Sequence, residues 1–108
     1  MNSISLTKKK VIKALEDIKA FDIVTLNIKK LTSISDFMII ASATSTRQTK
    51  ALARNVKEEM KQLDVKVIGI EGEKEGDWVL VDLGDIIVHI MTPTTRAYFN
   101  LEELWTDK

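Results

Sequence analysis

The chain's single histidine, His89, closes the stretch DWVLVDLGDIIVH (Asp77 to His89), which also carries Trp78, Asp82 and Asp85. These are residue types from which acid–base, metal or recognition chemistry is built, and spacing decides among them. Hydrolysis through His89 needs a nucleophile and an acid that orients the imidazole. No serine sits in a G-x-S-x-G elbow, and there is no cysteine. Metal-assisted nucleotidyl transfer needs two or three carboxylates converging on divalent cations, conveniently from positions i and i+2 of one strand face. Asp36 is followed at i+2 by Met38 and Asp82 by Gly84, while Asp85 lies across a turn. A nucleotidyltransferase-like enzyme using Asp36, Asp82 and Asp85 is the alternative reading, since Asp82 and Asp85 also suit turns, where the side chain bonds nearby backbone. A lone strand histidine also suits a partly buried hydrogen-bonding role. One histidine and no cysteine exclude thiolate zinc and multi-histidine metal sites, and no cofactor motif is present.

The element that must position these residues is a hairpin, two runs rich in β-branched residues around Leu83-Gly84. With that pair as the turn, Asp82 opposes Asp85, Val81 opposes Ile86, Leu80 opposes Ile87, Val79 opposes Val88 and Trp78 opposes His89. Alternation then puts Val79, Val81, Ile86, Val88 and Ile90 on a core face, and Trp78, Leu80, Asp82, Asp85, Ile87, His89 and Met91 on the other. Two readings of the mixed face stand side by side. It is a binding surface, in which Trp78 offers large area at low rotamer cost and Asp82 gives directional polarity. Or a C-terminal helical segment, roughly Thr94 to Trp105, covers it through Tyr98, Leu101, Leu104 and Trp105.

Upstream, Val11, Ile12, Leu15 and Ile18 share one face of a helix expected from about Ser5 to Ala20. Its lysines, Lys8, Lys9, Lys10 and Lys13, read as a solvated surface. DIVTLNI (Asp22 to Ile28) alternates like a half-buried strand, and FMIIAS (Phe37 to Ser42) reads as a strand buried on both faces. Ser45-Thr46-Arg47-Gln48 has the form of a capping box opening a helix to about Leu63, with the apolar stripe Leu52, Val56, Met60 and Leu63. A phosphate site at that helix start lacks the glycines and the Lys-Ser/Thr pair it would need. VKVIGI (Val65 to Ile70) is the next strand, giving a βαβ crossover between parallel strands. An acidic loop, EGEKEGD, then leads into the hairpin. The fold class is α/β, a mixed sheet of about five strands flanked by helices.

At 108 residues the chain is read as one domain over 1–108, and its sixteen basic and sixteen acidic residues cancel. Whole-molecule attraction to nucleic acid is therefore not expected, and a partner must recognise a local surface. Lys13, Glu16 and Asp17 interrupt the first apolar positions, so neither a signal peptide nor a membrane span is predicted, and a cytoplasmic protein is expected.

EGE (Glu71 to Glu73), DWVLVDLGDIIVHIM (Asp77 to Met91) and YFNLEELW (Tyr98 to Trp105) together resemble the ribosomal silencing factor family, RsfS or Iojap-like, as do DIVTLNI and SISDFMIIASATSTRQ. Ala43 stands where relatives often have glycine. The resemblance implies a nucleotidyltransferase-like fold without catalysis. It also implies a factor that binds the large ribosomal subunit at its fourteenth ribosomal protein, blocks joining of the small subunit and represses translation when nutrients are limiting. Carried over by position, Trp78, Leu80 and Asp82 lie in that contact, with Asp85 and His89 nearby. A homodimer is expected of the free protein, and no sequence-specific nucleic acid or membrane partner.

Overall fold

A computed structural model describes residues 4–105. Its elements are α1 (Ile4–Asp17), β1 (Phe21–Asn27), β2 (Phe37–Ser42), α2 (Thr46–Gln62), β3 (Gly69–Glu71), β4 (Trp78–Asp82), β5 (Ile86–Met91), α3 (Pro93–Phe99) and α4 (Leu101–Leu104). The five strands form one sheet in the order β1-β2-β5-β4-β3. Only β2 and β5 pair in parallel, so the sheet is mixed as the sequence pattern indicates. β3 points the same way as β2, but β5 and β4 lie between the two strands that α2 connects.

Alternation divides the core in two. Phe37, Ile39 and Ala41 of β2 face a larger core with Val79, Val81, Ile86, Val88 and Ile90, capped by Val11 and Leu15 of α1 and Leu52, Val56 and Met60 of α2. Met38 and Ile40 face a smaller core with Ile28, Met91 and Leu101. β2 is thus buried on both faces along its whole length. Ala43 is buried too, and its N–H donates to the Met91 carbonyl at 2.9 Å.

Local chemistry explains the helix junctions. Ser45 caps α2, its Oγ accepting from the Gln48 N–H at 3.1 Å. Gln48 departs from the reciprocal capping bond: its Oε1 accepts from the Thr44 N–H at 2.6 Å, and its Nε2 donates to the Ile18 carbonyl at 2.8 Å. Asn55 Nδ2 donates to the Ala14 carbonyl at 2.9 Å, so two amide side chains lash α2 to α1 and to the turn that follows it.

The hairpin turn lies one residue later than Leu83-Gly84. Leu83 donates to the Ile86 carbonyl at 2.9 Å, and the central pair is Gly84-Asp85. Gly84 has φ of +87°, the left-handed conformation that a two-residue hairpin demands at its first central position and that Leu83 would adopt only under strain. Asp82 therefore pairs with Ile87, Val81 with Val88, Leu80 with His89, Val79 with Ile90 and Trp78 with Met91. Moving the turn by one residue moves every partner by two, so both faces keep their strand residues, while Asp85 leaves the mixed face for the turn.

Three further expectations are corrected. Residues 65–68 are not strand: the Val65 N–H closes the end of α2 by donating to the Met60 carbonyl, and only Gly69–Glu71 pairs with β4. β1 begins with a bulge between Phe21 and Val24, where Asp22 takes φ of +51°. The C-terminal helical segment breaks at Asn100, left-handed at φ 48° and ψ 55°, into α3 and α4.

Val81 is fully buried among aliphatic groups. Val81→Asp places an unpaired charge there and is expected to cost about 3–5 kcal/mol, lowering the melting temperature by roughly 12 °C or more. Thermal unfolding followed by circular dichroism checks this.

Candidate partner-binding surface

The face opposite α1 and α2 carries Trp78, Leu80, Asp82, Ile87, His89 and Met91, and the C-terminal helices cover only one end of it. Leu101 is buried on Ile28, Met38, Ile40 and Met91, with Trp78 and Trp105 packed around that cluster. Tyr98 and Leu104 point away, 81% and 70% exposed, so of the four side chains expected to cover the face only Leu101 and Trp105 do. Leu80 and Ile87 are half-buried and belong to neither core. The covering reading therefore holds at the Met91 end only, and the Leu80 end lies outside the cluster that the C-terminal helices complete.

Trp78 and His89 sit at the boundary. They are diagonal neighbours, because Trp78 pairs with Met91 and His89 with Leu80. The indole N–H of Trp78 donates to His89 Nδ1 at 2.9 Å, which requires a neutral imidazole with its proton on Nε2. His89 is 6% exposed, and this burial holds its pKa down at about 4. The histidine is an acceptor that fixes the plane of the tryptophan. On the other side Phe99 packs on Trp78 with ring centroids 4.8 Å apart. Trp78 is thus half-buried and held by two groups, with part of its surface outward.

The aspartates occupy the turn end of the sheet. Asp82 Oδ1 accepts from the Gly84 N–H at 2.9 Å, a turn-forming bond. Asp85 is exposed in the turn, and its carbonyl accepts from the N–H groups of Asp36 and Phe37, each at 3.0 Å. Asp36 and Asp85 are thereby neighbours through their backbones. Among the described residues, however, no three His, Cys, Asp or Glu side chains are grouped so as to hold a metal ion.

Two positions escaped the sequence reading. Phe99 lies in the YFNLEELW motif, where neither spacing nor type points to Trp78 as its neighbour. Arg96 carried no periodic or motif signal at all, yet it organises the C-terminal segment. Its guanidinium donates to the Asp22 carbonyl at 2.6 Å, to Ser42 Oγ at 2.9 Å and, as a fork, to both carboxylate oxygens of Glu102 at 3.2 and 3.0 Å. It ties α3 and α4 to the first two strands.

His89 makes stability depend on pH. The unfolded chain takes up a proton near 6.5 and the folded chain only near 4, so stability falls as pH drops through that window. The loss is on the order of 3 kcal/mol once both forms are protonated. Chemical denaturation at pH 7 and pH 4.5 should show it, and His89→Asn, which keeps an acceptor but does not titrate, should remove this part of the slope.

Comparison with known proteins gives four findings. The family model described as "Ribosomal silencing factor during starvation" matches residues 2–108. A relative named ribosomal silencing factor RsfS, from Chromobacterium violaceum, is 50% identical over 90% of this chain and 80% of its own. A mouse protein named mitochondrial assembly of ribosomal large subunit protein 1 is 32% identical over 89% of this chain and 43% of its own. Among solved structures, a protein from Chromobacterium violaceum superposes with a TM-score of 0.94 at 46% identity, covering 99% of this chain and 90% of that one.

Proposed function

The chain belongs to the ribosomal silencing factor family, and on that premise we propose that it binds the large ribosomal subunit through the fourteenth ribosomal protein. Bound there as a single domain, it blocks joining of the small subunit and represses translation under nutrient limitation. The name of the mouse relative, which refers to the large subunit, supports the choice of subunit. The observation that carries the proposal is the Leu80 end of the sheet, where Leu80 and Ile87 lie half-buried beside an ordered tryptophan and pack on neither core.

In this reading Leu80 is the apolar contact and Trp78 the aromatic anchor, pre-oriented by His89 and Phe99 so that little rotamer freedom is lost on binding. Asp82 spends Oδ1 on its own turn and offers Oδ2 to a donor of the partner. Asp85 stands exposed at the rim. The action is steric, not catalytic, and belongs in the cytoplasm. A 12.2 kDa body on the joining surface excludes the other subunit, and the penalty grows with the ratio of free factor to its dissociation constant. No helix among the described residues is long and apolar enough to cross a membrane.

Co-sedimentation with separated subunits tests the proposal, with pelleting by the large subunit alone as the expected result. Leu80→Glu should weaken that binding at least about thirtyfold, roughly 2 kcal/mol, while the melting temperature stays within a few degrees because Leu80 packs on neither core. Trp78→Ala should weaken binding by about 2–4 kcal/mol and also lower the melting temperature, since Trp78 packs on the smaller core. Normal binding by Leu80→Glu would place the contact elsewhere.

The same face supports a homodimer of the free protein. Tyr98, Phe99 and Leu104 are exposed beside it, and apolar area of this kind associates in water. Light scattering at micromolar concentration should give twice 12.2 kDa, and Leu80→Glu should move the mass toward the monomer. A monomer mass for the parent chain would reject self-association.

A further inference from the structure

The formal charge of zero hides a separation. α1 and α2, which lie together on one face of the sheet, hold nine basic and four acidic residues, leaving seven and twelve to the rest of the chain. Within α2 the basic residues are Arg47, Lys50, Arg54, Lys57 and Lys61, at alternating steps of three and four. That spacing lines them up as one ridge. The inward stripe of α2 is Thr49, Leu52, Ala53, Val56 and Met60, and Gln48 and Asn55 point to α1, so the ridge occupies the remaining outer side.

We infer that this ridge of α2 binds the phosphate backbone of RNA, giving the factor a second, sequence-independent contact beside its protein partner. The inference rests on the ribosomal reading above for where that RNA lies, but the ridge itself is a matter of charge and geometry. Arg47, Arg54, Lys57 and Lys61 are exposed and Lys50 is half-buried. The ion pairs among the described residues are Lys13–Asp17 and Arg96–Glu102, and none involves the ridge. Two of the four lysines of α1 are engaged, Lys13 by Asp17 and Lys8 over the Phe37 ring at 3.8 Å. Five like charges at i, i+3 and i, i+4 repel one another, so the ridge weakens its own helix until a polyanion neutralises it.

Shape selects the polyanion. The ridge is straight, about 21 Å long at 1.5 Å per residue, with cations about 5 Å apart, an array that follows a regularly charged strand. A bilayer surface is a poor match, because helices that lie on membranes carry an apolar face beside their cations and the apolar face of α2 is spent on the core. No aromatic side chain lies on α2 to stack on bases, so contact is to backbone and not to sequence. The acidic surroundings set the limits. Glu58 flanks the ridge, and the loop holding Glu73, Glu75 and Asp77 packs at Gly76 against Thr46 and Lys50. The strongest part of the ridge is therefore Arg54, Lys57 and Lys61.

The test is fluorescence anisotropy of the full chain with a labelled RNA stem-loop across a range of potassium chloride. The parent should bind, with log affinity falling linearly against log salt. The triple variant Arg54→Gln, Lys57→Gln, Lys61→Gln should lose about 2–3 units of that slope and more than tenfold in affinity at low salt, with a melting temperature no lower than the parent's. Glu58→Gln should bind more tightly than the parent. In parallel, the triple variant should bind the isolated ribosomal protein like the parent, whereas Leu80→Glu should lose that protein and keep the stem-loop, so the two contacts fail independently. Equal binding of the stem-loop by parent and triple variant, no binding by the parent at any salt, or equally tight binding to phosphatidylglycerol vesicles would each overturn the inference.

Discussion

The parity of the β4–β5 hairpin is the constraint on which the rest of the structure depends. β5 is hydrogen-bonded to β4 on one side and to β2 on the other, so a one-residue slip of β4 against β5 would turn Val79 and Val81 to the outer face and bury Leu80 and Asp82 while Val88 stayed inward. The turn that prevents the slip is clamped from outside the hairpin. The Asp85 carbonyl accepts two N–H groups from residues 36 and 37, Ser35 Oγ donates to the Gly84 carbonyl at 2.9 Å, and Asp82 closes the loop on Gly84. The start of β2 is therefore set by the same four residues that set the hairpin. One glycine in a left-handed conformation propagates into the register of three strands.

This constraint explains what was legible in the sequence. The two faces of the hairpin could be read because alternation survives any even error in register, and the error made was of two. The turn was misplaced because Leu-Gly and Gly-Asp are both plausible central pairs by type. What separates them is that Leu83 is needed in the core, 9% exposed, which is a tertiary fact. β2 was readable because burial on both faces leaves a continuous apolar run. VKVIGI looked the same, but Val65 and Val67 pack against the core from a chain segment that closes a helix, so apolar content there reports packing and not pairing.

The candidate site was legible in its residue types and not in its contacts. Trp78, Leu80, Asp82, Asp85 and His89 could be placed on one side of the hairpin, but the donor from Trp78 to His89 depends on a diagonal relationship that only the true register creates. Arg96 was invisible for a different reason. Its partners are a bulged backbone carbonyl at Asp22, a strand-end hydroxyl at Ser42 and a carboxylate six residues on, and no periodicity joins such positions. The network also decides which end of the sheet face is covered. By tying α3 and α4 to β1 and β2, Arg96 commits the helices to the Met91 end of the face.

The proposed steric role asks for rigidity and orientation more than for reactive groups, and the chemistry of the Trp78 face fits that need. An imidazole kept neutral by burial is a poor general acid at neutral pH but a dependable acceptor, and here it holds an indole that Phe99 supports from the other side. The aromatic anchor is consequently part of the smaller core as well as of the surface. Under the proposed contact, stability and recognition are coupled through Trp78 and separable through Leu80, which packs on neither core. Conformational freedom of the anchor is lost when the chain folds and not when a partner arrives, so binding energy at this face is not spent on ordering it.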